Sequence, residues 1–319
     1  MVMTSRVEDC HAAHLQQRRS ERRNIHGLVL LDKPVGMTSN RALQRVKRLY
    51  SAKKAGHTGS LDPLASGLLP VCLGEATKIS SYLLDADKTY ETTVQLGWST
   101  TTGDEEGDVL RSKRVPALTE ERVQQALAGF EGDYDQVPPM YSAIKKSGQP
   151  LYRLARKGVE VEREKRRVRI VQCHLLHLDD NSLRLRLRCS KGTYVRVFAE
   201  DLAEALGTCG HVKALRRIAV GRFSEADMVS LAQLQNWQES GQFERLSERL
   251  VRADQALSDW PEIDLPDPLA KKIRQGNSVS CSMGQRPGLV RLYAGHQRFL
   301  GIGQVDAEGK VSPKRLFNE

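Results

Sequence analysis

Residues 183–189 read Leu-Arg-Leu-Arg-Leu-Arg-Cys, a strict apolar–polar alternation. Side chains on a strand point to opposite faces with a period of two. Leu183, Leu185 and Leu187 therefore face a core, and Arg184, Arg186 and Arg188 face outward on an antiparallel strand. A chain with such a segment must build a sheet that has one covered face and one polar face. Other stretches supply further strands and the helices to cover it. Gly27–Leu31 is a short apolar run ended by Asp32-Lys33-Pro34, a strand followed by a turn. Thr38 or Ser39 can cap a helix whose apolar residues Ala42, Leu43, Val46 and Leu49 recur at helical spacing. Residues 51–67 carry no period and read as a loop, and Leu68–Leu73 is a second apolar run. A helix is expected from about Glu75 to Leu84. A strand follows from Lys88 to Leu96, with Tyr90, Thr92, Val94 and Leu96 on one face. Thr119 opens a further helix with Glu120 and Glu121 in its first turn. Lys145–Arg169 is basic and holds a short helix, Leu151–Arg156. After a helical segment around Leu231–Ser240 and a proline-punctuated stretch from Trp260 to Pro268, glycine-separated apolar runs in 269–319 predict a small β-rich module.

Charge narrows the partner. The 319 residues are enough for roughly two domains and carry 49 Lys+Arg against 39 Asp+Glu, a formal charge of +10. Of the cations 32 are Arg, the side chain suited to forked phosphate contacts and to stacking on bases. That balance points to a polyanion such as nucleic acid. Two readings of the outward arginines of 183–189 stay open: an edge strand kept soluble by charge, or a cationic wall of an RNA groove. Arg41, Arg45 and Arg48, at i, i+4 and i+7, likewise form either a solvated helix face or a phosphate-contacting one. Residues 1–25 read as a flexible basic tail. The N-terminus has no apolar core of the secretory type, and no apolar run approaches the ~18 residues of a membrane span. The six cysteines include no C-x-x-C pair, so reduced thiols and a cytoplasmic location are expected.

Several chemistries lack their residues. There is no G-x-x-x-x-G-K-[ST] loop and no G-x-S-x-G, and Gly301-Ile302-Gly303 is not completed to a dinucleotide motif. His174 and His177, near Cys173, are expected on opposite faces of a strand with no second ligand pair, so no metal site is expected. What remains is the loop Gly56-His57-Thr58-Gly59-Ser60-Leu61-Asp62-Pro63-Leu64-Ala65-Ser66-Gly67. An Asp before Pro in a glycine-bounded loop can simply bond its own backbone in a turn. It can equally serve as nucleophile or base on a bound ligand, with an imidazole close by.

This loop resembles the G-H-x-G-x-L-D-P-x-A-x-G signature of the TruB-type tRNA pseudouridine synthases. Further blocks resemble the family in order: Gly27–Pro34 with Gly36, Thr38 and Ser39; Leu73–Lys78; Asp87-Lys88-x-Tyr90; Pro138–Lys145; Cys189–Arg196; and Leu215-Arg216-Arg217. Together they span 26 to about 225. Two positions depart: His26 stands where the family has Asn, and Thr101 replaces an acid in a T-D-T-x-D segment. Neither lies in the loop of Asp62.

The resemblance implies an α+β fold: a mixed, largely antiparallel sheet with flanking helices, a catalytic domain over 26–250 and an RNA-gripping insertion at about 133–169. It also implies a C-terminal PUA-like RNA-binding domain over 251–319. The implied activity isomerises uridine 55 in the T loop of tRNA to pseudouridine on a flipped-out base. Asp62 is then the essential carboxylate, and Arg196 its partner, which would keep the acid ionised. Tyr90 would lie against the target base, where its ring can stack and its hydroxyl can accept or relay a proton, His57 would fill or brace the vacated space, and Tyr194 and Leu215 would line the uridine pocket. The reaction is redox-neutral, so no cofactor and no metal are expected; the partner is the tRNA T stem-loop, no membrane is involved, and a monomer is expected. Two rivals are a guide-RNA-dependent pseudouridine synthase and a non-catalytic RNA-binding or remodelling protein. Short tails and the presence of Asp62 disfavour them.

Overall fold

The computed structural model describes residues 24–146, 148–280, 286–295 and 297–318. The tail expected over 1–25 lies almost wholly outside them, as do Cys10 and Cys281. In chain order the strands of the first part are β1 (Gly27–Lys33), β2 (Ala55–His57), β3 (Ser66–Leu73), β4 (Lys88–Leu96), β5 (Trp98–Thr100), β6 (Val109–Ser112) and β7 (Gly132–Gln136). The two-residue β8 (Lys145–Lys146) and β9 (Gln149–Pro150) form a small hairpin before β10 (Arg166–Asp179), β11 (Ser182–Cys189) and β12 (Gly210–Val220). The short β13 (Phe223–Ser224), β14 (Val229–Ser230) and β15 (Leu250–Val251) precede β16 (Glu262–Leu265), β17 (Val279–Ser280), β18 (Gly288–Ala294), β19 (Arg298–Val305) and β20 (Lys310–Leu316). The helices are α1 (Ser39–Leu49), α2 (Ser80–Asp85), α3 (Glu120–Ala128), α4 (Leu151–Ala155), α5 (Val195–Ala205), α6 (Leu231–Glu239), α7 (Phe243–Glu248) and α8 (Asp267–Arg274).

The larger sheet runs β14-β1-β3-β12-β4-β11-β10-β7, with β2 added to β3, β13 to β12 and β15 to β1. Most pairs are antiparallel, but β12 meets β3 in parallel, as β1 meets β14. This is the mixed, largely antiparallel α+β architecture expected. The main core lies on one face of the sheet. Leu183, Leu185 and Leu187 of β11 meet Tyr90 and Val94 of β4 there, beneath Ala42, Leu43 and Val46 of α1 and Phe198 and Leu202 of α5. Each fully buried leucine contributes roughly 1.5–3 kcal/mol of transfer free energy. A second core on the other side joins Leu28, Leu30, Leu68 and Cys72 to Ala253, Ala256, Leu257 and Ile302. Ile302 belongs to the smaller five-stranded sheet, β16-β18-β19-β20-β17, which has its own third cluster around Ile263, Ile273 and Val311.

Local differences from expectation have physical causes. β11 is an interior strand, bonded to β4 and β10, so the edge-strand reading fails. Its outward arginines are matched across the ladder: Arg186 reaches Glu91 at 2.7 Å and Arg188 reaches Asp87 at 3.1 Å. A bulge between Leu175 and His177 inserts one residue into β10, and His174 and His177 consequently face Arg186 and Arg184 on one side of the sheet. The expectation of opposite faces therefore fails, and His177 pairs with Asp179 at 3.0 Å instead. The helix expected over 75–84 divides into a 3-10 stretch, Gly74–Ile79, and α2. Part of the loop read over 51–67 pairs with β3 as β2.

Candidate active site

Asp62 lies between β2 and β3 in a segment stitched down on both sides. The Ser39 hydroxyl at the start of α1 donates to the Leu61 carbonyl at 2.9 Å and accepts from the Leu61 N–H at 2.7 Å. The Gly36 N–H donates to the Pro63 carbonyl at 2.8 Å, and the Ala65 N–H closes a turn onto the Asp62 carbonyl at 3.1 Å. Lys33, fully buried at the end of β1, donates to the carbonyls of Met37 at 2.6 Å and Pro34 at 2.9 Å. From the other side Arg217 of β12, also buried, donates to Gly59 at 3.1 Å and Leu68 at 2.7 Å. This approach requires glycine at 67. Its φ is +96°, and a Cβ there would sit 2.2 Å from the Arg217 carbonyl oxygen.

Arg196, in the first turn of α5, faces that segment. Its Nη2 lies 3.0 Å from the Asp62 carboxylate and its Nη1 3.5 Å from Asp104, while the carbonyls of Thr102 and Tyr141 accept from the same guanidinium at 2.7 and 2.8 Å. The side chain is 6% exposed, so the fork is held without freedom to swing. Asp104 is positioned in turn by the Thr102 hydroxyl and the Glu106 N–H. The strip carrying it is fastened to β12, where buried His211 lies 2.8 Å from the Glu105 carboxylate and 3.0 Å from the Trp98 carbonyl.

The electrostatics differ from expectation in one respect. The Asp62 side chain remains 43% exposed, although protein packs closely around its carboxylate. Withdrawal from bulk water pushes its pKa above the ordinary carboxylate range; Arg196 pulls it down and Asp104 pushes it up, leaving the net shift upward. Arg196 thus opposes the protonation of Asp62 without overriding burial. Burial also lowers Lys33 to about 8, a fall limited by the facing charges of Asp62 and Glu106.

The remaining expected residues fall on three elements. Tyr90 points from β4 into the main core beside Arg217, with which its hydroxyl interacts; burial raises its pKa. Tyr194 caps α5, with its backbone N–H and carbonyl both held by the Gln136 amide at 2.7 and 3.0 Å. Its hydroxyl is raised by burial and feels the charges of Asp62 and Arg196. Leu215 packs, half-buried, on the main core. His57 ends β2; burial and Arg217 lower its pKa, and its Nδ1 is buried without a hydrogen-bond partner. Asp62, Arg196, Tyr90 and Tyr194 therefore share one electrostatic neighbourhood, whereas His57 joins it through Arg217. Lys33, Asp104, Glu106 and Arg217 also belong to it, although the sequence reading assigned them no role. All but Glu106 stood within its quoted motif blocks.

Comparison with known proteins accords with this arrangement. Residues 47–195 match the family described as "TruB family pseudouridylate synthase (N terminal domain)". Residues 196–258 match "tRNA pseudouridylate synthase B C-terminal domain", and 261–317 match "Pseudouridine synthase II TruB, C-terminal". A protein of Nitrosococcus oceani named tRNA pseudouridine synthase B is 51% identical over 302 residues, 95% of this chain and 98% of its own length. Proteins of the same name from Stutzerimonas stutzeri and Coxiella burnetii are 49% and 47% identical over 95% and 93% of this chain and 99% and 96% of their own lengths. Among solved structures, "Crystal Structure of a Cbf5-Nop10-Gar1 Complex" superposes with a TM-score of 0.69 at 24% identity, covering 92% of this chain and 84% of that one. That likeness concerns the fold. The family matches and these relatives together define a pseudouridine synthase, an isomerase. Within that class, the chain belongs to the TruB family.

Proposed function

We propose that this enzyme converts uridine 55 in the T loop of tRNA to pseudouridine, with Asp62 as the essential carboxylate. The reaction breaks the bond from the ribose C1′ to N1 of the base, turns the base and rejoins C1′ to C5; C5 then gives up its proton and N1 takes one from water, so the atoms balance. It is redox-neutral and transfers no group to a second molecule. The protein's task is therefore to extract the uridine, hold the freed base and supply one carboxylate. The carrying observation is the Asp62–Arg196 contact of 3.0 Å, with Tyr90 and Tyr194 near enough to feel the charge of Asp62. Asp62 acts on C1′, on C6 of the base or on a ribose proton; each route needs an ionised acid next to a fixed cation. Tyr90 stacks on the target base, Tyr194 and Leu215 line its pocket, and His57, kept neutral by burial, fills the space the base leaves.

In this reading residues 133–169 grip the T loop, the module from about 251 to 319 is a PUA-like RNA-binding domain, and the protein works as a cytoplasmic monomer. Among the described residues no helix is long and apolar enough to cross a membrane. The relatives named tRNA pseudouridine synthase B, matched over 93–95% of the chain, favour this reading over a guide-dependent synthase. The test incubates an unmodified T-arm RNA with the protein in EDTA without cofactor and maps pseudouridine at single-nucleotide resolution. Wild type should convert the T-loop uridine, and Asp62→Asn should bind the RNA without converting it. Conversion by the variant, or none by wild type, would overturn the proposal.

A further inference from the structure

The molecule carries two rows of arginines at regular spacing, and their surroundings differ. On β11, Arg184, Arg186 and Arg188 face the acids of β4 and the turn before it: Arg184 and Arg186 share Glu91, and Arg188 pairs with Asp87. Lys191, just beyond, pairs with Asp85 at 2.8 Å. Three acids thus offset most of the charge of these four cations. On α1, Arg41, Arg45 and Arg48 form no ion pair with any carboxylate of the described residues, and neither do Lys53 and Lys54, which lead into β2. The helix has no acid in its first turn and ends on Lys47 and Arg48.

Unbalanced cations on one helix face repel one another at a few tenths of a kcal/mol per pair. A fold that repeatedly supplies carboxylates to β11 but none to α1 leaves the α1 row for an external anion. Position says which. The opposite, apolar face of α1 is fixed in the main core through Ala42, Leu43 and Val46, so the arginine face is rigidly presented. The first turn of α1 is tied through Ser39 to Leu61, the residue before Asp62. The row runs from there for about 10 Å along the helix axis, and Lys53 and Lys54 follow in sequence, directly before the strand that ends on His57. We infer that Arg41, Arg45 and Arg48 are a phosphate track that holds the RNA backbone beside the Asp62 segment, and that the β11 row is not part of the RNA-binding surface. The inference rests on the proposed RNA substrate.

The test measures tRNA affinity against monovalent salt in an Asp62→Asn background, so that no turnover intervenes. Arg41→Gln/Arg45→Gln/Arg48→Gln is compared with Arg184→Gln/Arg186→Gln/Arg188→Gln, and with Arg41→Lys/Arg45→Lys/Arg48→Lys. Each phosphate contact adds about 0.9 to the slope of log affinity against log salt on a duplex. The α1 glutamine variant should bind at least about tenfold more weakly near 0.1 M salt, with a slope shallower by about 2 to 3. The lysine variant should recover most of that slope, which separates charge from a folding defect. The β11 variant should keep the wild-type slope. An unchanged slope in the α1 glutamine variant, or an equal loss in the β11 variant, would overturn the inference. Wild-type conversion of the T-arm RNA, assayed in parallel, reports on the proposed reaction alone. Conversion with unaltered slopes therefore sinks the phosphate track while leaving the enzyme intact.

Discussion

Arg196 answers to two carboxylates and two carbonyls from a site that is almost closed to water, so its fork geometry matters as much as its charge. Arg196→Lys keeps the charge but cannot reach Asp62, Asp104 and both carbonyls together. Its single-turnover rate should fall on the order of a hundredfold with tRNA affinity little changed. Asp62 itself should reveal its setting through pH. Its pKa is raised, and each proposed route uses the carboxylate, so the rate must fall as pH drops through that raised value. A single-turnover profile should therefore bend above the ordinary carboxylate range; an acid limb centred near about 4 would contradict the setting described here. Asp62 was legible because its motif is dense in glycine and surrounds one acid. Lys33 and Arg217 lie within the motifs that resemble the family, but a cation's neighbours in sequence do not say that it turns inward. The carbonyls of Pro34 and Met37 and the charge of Asp62 make the position of Lys33 tolerable, and the carbonyls of Gly59 and Leu68, far off in sequence, do so for Arg217.

At the scale of elements, the segment bearing Asp62 is ordered less by its own residues than by α1. Ser39→Ala removes two hydrogen bonds and leaves the Leu61 N–H and carbonyl buried without them. The cost should be about 1–3 kcal/mol in urea unfolding. Because Asp62 is the next residue, kcat should fall while KM holds; a drop in stability alone would show that Ser39 acts only on folding. The strands that alternate strictly, β4 and β11, were legible with nearly correct bounds because period two is imposed by the pleat. The bulge in β10 was not, since one inserted residue reverses the parity of the strand without any mark in composition. The three-residue β2 was hidden for another reason: its pairing with β3 comes from tertiary packing around the Asp62 segment, and Ala-Gly-His has no strand propensity of its own.

For the whole molecule, the smaller sheet is joined to the larger one by side chains as well as by chain. Trp260 meets Tyr82 edge to face at 5.0 Å, Ile302 enters the second core, and Lys78 donates to the Leu316 carbonyl at 2.7 Å. Thermal unfolding followed by calorimetry should show a single transition. Trp260→Ala, at a cost on the order of 2 kcal/mol, should split it in two. The separate β-rich module was legible from its glycine-spaced runs, but its seating on Leu28 and Leu68 was not, because those leucines read equally well as core of the first sheet. The central place of β12 has a further consequence, in time rather than space. β3 and β4 are not paired with each other; β12 lies between them in the sheet, and it is made some 150 residues after Asp62. At about 5–20 residues per second, translation delivers Asp62 roughly 10–30 s before Arg217 arrives to close the gap. Until residue 196 has been made, a nascent chain holds Asp62 without the guanidinium of Arg196, and the sheet around it closes only later still. Every ribosome making this enzyme therefore carries an inert precursor that becomes complete only after the middle of its own sheet has been synthesised.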